Sequence, residues 1–116
     1  MSGTTYDASE APDPQEWLSL PEDERLRLVR NSHQGSGVSP TGRHHWLTHV
    51  AVENYLARGH GTAKRALSHL MSTGASRHDG IHRIGQALVK AYSAAPRLKQ
   101  PEEQLFVEEL AAILSS

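Results

Sequence analysis

No segment of this chain alternates apolar and polar residues as a half-buried strand must, and its apolar side chains fall instead three and four positions apart. Ala63, Ala66, Leu67 and Leu70 form one such stripe, Ile81, Ile84, Leu88 and Tyr92 a second, and Phe106, Leu110 and Ile113 a third. Local punctuation separates them. Thr62 is placed to cap the first of these helices, and Gly74 closes it. Ser76-Arg77-His78-Asp79 opens the next with a serine and an acid three residues on, Asp79 serving the cap, and Pro96 is expected to end it. The last helix spans 101–114, with Glu102 and Glu103 in its first turn, where they suit the helix dipole.

Upstream, Ser19-Leu20-Pro21-Glu22 reads as a capping box opening a helix with Leu26, Leu28 and Val29 inward and an end near Asn31. A further helix runs from about Thr41 or Gly42 to Ala57, after a glycine- and proline-containing loop over 36–42. Residues 1–14 are polar and read as a flexible lead-in, leaving 15–116 as one domain. The expected fold is all-α: an up-and-down bundle of four to five helices.

Composition narrows the function. The 116 residues are 37% hydrophobic and 22% charged, as in an ordinary globular chain. With no cysteine there is no disulfide, no thiolate metal site and no cysteine nucleophile, so a bound metal must use nitrogen and oxygen donors. A formal net charge of −1 gives no general attraction to nucleic acid. The start of the chain lacks a signal-like apolar run, and no stretch is long enough to cross a bilayer, so the expected setting is the cytoplasm.

The distinctive feature is histidine. Eight histidines in 116 positions give about 0.5 chance pairs at i, i+4, so the two pairs seen carry weight only through their context. With His45 at zero on a helical wheel, His49 falls at about 40° and Glu53 at about 80°, while Leu56 and Trp46 share that face. His78 and His82 repeat the pattern beside Ile81 and Leu88. If the two helices run parallel, His45 sits level with His78 and His49 with His82, and Glu53 and Gln86 lie one turn further along. Imidazoles at i and i+4 can grip one ion, and an ion relieves the cost of burying their nitrogens. The alternative is a set of histidines bonded to Glu53, Asp79, backbone and one another.

The stretches His45-Trp-Leu-Thr-His-Val-Ala-Val-Glu-Asn54 and Arg77-His-Asp-Gly-Ile-His82 resemble the core of domain-of-unknown-function family 1841, small uncharacterised bacterial proteins with an H-x-x-x-H-x-x-x-E helix and an H-[DE]-x-x-H helix. The resemblance covers about residues 43–92. His45, His49, Glu53, His78, Asp79 and His82 match it, and Tyr55 stands where glutamine is common. It implies a helical fold and this residue set, but no reaction.

His45, His49, Glu53, His78 and His82 are thus the expected ligands, with Glu53 also the candidate general base and Asp79, Gln86, Arg77 and His44 the residues around them. Four imidazoles and a carboxylate leave one octahedral position open, which puts iron ahead of manganese, nickel, cobalt or zinc. The first reading is a non-haem metalloenzyme activating dioxygen or water on a small molecule, with the 36–42 loop as cover. The others are a metal sensor or carrier without turnover, and a metal-free interaction domain with a histidine pH switch. Arg43 and Arg77 read as solvated, and His33, His44, His60 and His69 as surface, capping or orienting residues. Exposed Trp17 or Trp46 would favour a homodimer.

Overall fold

The computed structural model describes residues 6, 7, 9–32 and 43–115; the expected loop over 36–42, His33, and the side chains of Arg43, His44 and His45 lie outside the described residues. Among the described residues every regular element is helical: α1 (Pro14–Ser19), α2 (Glu22–Ser32), α3 (Arg43–Ala57), α4 (Gly61–Ser72), α5 (Arg77–Leu98) and α6 (Glu102–Leu114). The all-α expectation holds, with the short α1 added where no helix was expected. Asp13 starts it by accepting a hydrogen bond from the Glu16 N–H, with Pro14 in the first turn.

Several boundaries have a different cause from the expected one. Ser19 does not cap α2, because it ends α1 and its hydroxyl donates to the Glu16 carbonyl. Arg25 fills that junction instead, donating to the carbonyls of Leu18 and Leu20 and to Asn54 Oδ1. The α4 cap is His60, whose Nδ1 accepts from the Ala63 N–H at 3.1 Å, in place of Thr62. At α5 the cap is Ser76, which accepts from the Asp79 N–H, while Asp79 itself is an exposed first-turn acid. Pro96 does not stop α5. It sits in the last turn, and the helix ends two residues later at Leu98, capped by Lys99 in the left-handed region with φ 55°. Gly74, at φ 113°, closes α4 as expected.

Two apolar clusters share α3. One packs Val52 with Ala63, Ala66 and Leu67 of α4, Ile81, Ile84 and Leu88 of α5, and Phe106, Leu110 and Ile113 of α6. The other joins Trp17 of α1, Leu28 and Val29 of α2 and Val50 on the opposite side of α3. Helix α3 is therefore buried on two faces, which explains an apolar sequence with little one-sided pattern. Trp17 is 2% exposed, and its Nε1 donates to Asn54, so it is a core residue and not an exposed docking group. Tyr92 leaves the expected α5 stripe and lies 54% exposed, because the stripe continues through Ala91 instead.

The approach of α5 to α3 sets the position of the histidines. A Cβ on Gly85 would lie 3.0 Å from Thr48 Cγ2, so α3 and α5 meet here with the Thr48 methyl packed against the α5 backbone. Gly85→Leu is expected to force them apart and cost about 1–3 kcal/mol in urea unfolding. Gly85→Ala should be close to neutral, since a gain of about 1 kcal/mol in helix propensity offsets a tenths-of-an-ångström adjustment.

Candidate metal centre

Helices α3 and α5 bring His49, His78 and His82 together. One ring nitrogen from each lies within 4.8 Å of the other two. The His49 ring centroid is 5.5 Å from those of both His78 and His82, and the Nε2 atoms of His78 and His82 are 3.0 Å apart. His49 is 2% exposed, and the α5 pair is half-buried, so the cluster runs from the core toward the surface. The i, i+4 spacing of the α5 pair does what helical geometry requires: it places two imidazoles on one face, meeting edge to face with ring centroids 4.3 Å apart.

The expected parallel register is not what forms. As α3 ascends through Thr48, His49 and Glu53, its partners descend along α5 through Gly85, the histidine pair and Arg77. His49 therefore sits between His78 and His82 and not level with His82 alone. Gln86, expected beside Glu53, is exposed. His44 and His45, expected beside the site and in it, have side chains outside the described residues.

Glu53 is the largest departure from expectation. Its carboxylate lies outside the group of converging ligand atoms and forms a two-pronged ion pair with Arg77, Nη1 to Oε2 at 2.7 Å and Nη2 to Oε1 at 2.9 Å. The two side chains are 1% and 7% exposed. Arg77 is thus buried and not solvated as expected, because a buried carboxylate needs a buried cation. Burial alone would lower the Arg77 pKa, but the hydrogen bonds and charge of Glu53 outweigh it and hold the guanidinium above its usual value.

Tyr6 completes the arrangement. Its hydroxyl donates to Glu53 Oε2 and lies 2.7 Å from His49 Nε2, and its ring packs 5.3 Å from Trp17. Burial first, then the Glu53 carboxylate, push the phenol far above the ordinary tyrosine range, so it stays protonated. A carboxylate paired with arginine only accepts, and a phenol has one proton, which goes to Glu53. With that proton committed, the His49 ring donates its Nε2–H to the Tyr6 oxygen. Glu53 and Tyr6 thereby orient the His49 ring.

Sequence reasoning missed Tyr6, which falls in the segment read as a flexible lead-in. It is a lone aromatic among polar residues, and its partners lie 43 and 47 positions away. Its one local signal is being the sole aromatic residue before Trp17.

Arg77→Met, which strands a buried carboxylate, is expected to cost about 3–5 kcal/mol in urea unfolding. The double variant Glu53→Met/Arg77→Met should recover most of that loss, because the charge that needed a partner is gone. Additive losses in the double variant would show that the pair does not act as a unit.

Comparison with protein-family models, with curated proteins and with solved structures gives no match.

Proposed function

We propose that this chain is a small helical metal-binding protein in which His49, His78 and His82 hold one divalent transition ion. The observation that carries the reading is the convergence of three imidazole nitrogens from two helices within 4.8 Å. Neutral imidazole is the commonest protein ligand for such ions, and the hydrogen-bonded chain behind His49 is the support that metal-ligating histidines need. His49, His78 and His82 also belong to the pattern of the family that residues 43–92 resemble.

The place of Glu53 changes the chemistry open to the site. Its engagement with Arg77 and Tyr6 removes the carboxylate from the expected ligand count, and with it the octahedral argument that put iron first. Zinc, nickel, copper and iron all suit a three-imidazole set. Three protein donors leave a coordination position where a bound ion supplies Lewis acidity or an activated water. Glu53 is poorly placed as a general base, since both oxygens already accept hydrogen bonds. Metal binding is therefore the core of the proposal, in a sensor or carrier whose open position admits water or a small molecule.

Elemental mass spectrometry of protein purified without added metal is expected to find close to one equivalent of a divalent transition metal, and His49→Ala or His82→Ala less than about a tenth. Less than about a tenth in the unaltered protein after exposure to these metals, or no change in His82→Ala, would end the proposal. Tyr6→Phe keeps the ring packing on Trp17 and removes the hydroxyl between His49 and Glu53. It is expected to weaken metal binding by about 10–100-fold in a chelator competition, with the fold intact by circular dichroism.

A further inference from the structure

A cavity of about 310 Å³ lies at the seam between the two apolar clusters, bounded by the segment entering α1, the C-terminal half of α3, the face of α4 and the first residue of α5. Its volume falls at the lower end of the range for small-molecule sites, about 300–1,000 Å³. At about 30 Å³ per water-sized unit it holds a ligand of roughly ten non-hydrogen atoms.

Most of its wall is hydrocarbon: Pro12, Pro14, Leu56, Ala57 and Leu67 among others. The polar part of the wall is of two kinds. Glu53 and Arg77 enter it already paired, so together they add no net charge. Lys64 and Ser68 stand one helical turn apart on α4, both exposed, which places an ammonium and a hydroxyl on the same face at the cavity's solvent side. Among the described lining residues, Lys64 is the one formal charge not matched within the wall. The result is an apolar chamber with a single positive charge and a second hydrogen-bond donor at its rim.

We infer that this cavity binds a small monocarboxylate with an apolar body, the hydrocarbon part inside against Leu56, Leu67 and the prolines and the carboxylate at Lys64 and Ser68. One carboxylate oxygen takes the ammonium and the other the hydroxyl, the pattern of a few placed polar groups in a mostly apolar site. A dianion would leave one charge unmatched, and a cation would meet Lys64 as a like charge. The inference is independent of the metal reading, since none of the lining residues is a proposed ligand.

The test uses the full chain, kept metal-free with chelator, and 4-phenylbutyrate as the probe, followed by calorimetry and by ¹H–¹³C spectra of the alanine and leucine methyl groups. Saturable binding is expected, with shifts centred on Ala57, Leu56 and Leu67. Lys64→Met should weaken it at least tenfold and Ser68→Ala about threefold, and 4-phenylbutanol should bind at least tenfold more weakly than the acid. Lys64 and Ser68 are both exposed, so neither variant threatens the fold. No saturation by about 5 mM would overturn the inference. So would equal binding of acid and alcohol, an unchanged Lys64→Met, or shifts centred on another part of the molecule. Loss of the metal reading would leave all these outcomes unaffected.

Discussion

A carboxylate with 1% exposure cannot stay ionised in a helical core without a cation beside it, and the Glu53–Arg77 pair answers that requirement at the crossing of α3 and α5. Much of the site follows from it. The pairing draws the first turn of α5 against α3, which sets His78 and His82 around His49. It also turns the carboxylate away from the imidazoles and leaves Oε2 to receive the Tyr6 hydroxyl. Tyr6 then ties the N-terminal segment to the site through His49 and to the second apolar cluster through Trp17. Such a pair adds less to net stability than its Coulomb attraction suggests, because both ions lose their water. Its two-pronged geometry is met in the register of α5 on α3 that places Arg77 beside Glu53.

The helices were legible in the sequence because their signals are local. Periodicity marks α4, α5 and α6 through Leu67, Ile84 and Phe106, and the glycine break at 59–61 and Gly74 mark the ends of α3 and α4. The histidine pair of α5 was legible for the same reason, as i, i+4 spacing is a property of one helix. What could not be read is how two helices cross. A parallel register and an opposed one place the same apolar stripes in contact, and the choice rests on Gly85 against Thr48 and on Glu53 against Arg77, contacts between residues 37 and 24 positions apart. Arg77 read as solvated because arginine is mostly exposed, and only the presence of buried Glu53 reverses that rule. Tyr6 was invisible because nothing near it in the chain reports its partners.

Removing Glu53 from the ligand set turns it from a donor into a support. Histidines that bind ions commonly pass their second N–H to a carboxylate, and here a tyrosine is interposed between them. The phenol is held protonated by burial and by Glu53, so it serves as a fixed hydrogen-bond relay. The arrangement holds His49 by hydrogen bonds from the core side, while His78 and His82 are half-buried, nearer the surface. Were these histidines to hold an ion, as proposed, a buried donor behind and two half-buried donors in front would suit reversible loading better than a sealed structural site.

X-ray absorption on metal-loaded protein bears most directly on the central claim, because it counts the donors around the ion and identifies their type. The account predicts at least three imidazole nitrogens at about 2.0–2.1 Å, with the outer-shell scattering typical of histidine rings, and the loss of one such ring in His49→Ala. An all-oxygen shell, or a spectrum unchanged by that substitution, would contradict it.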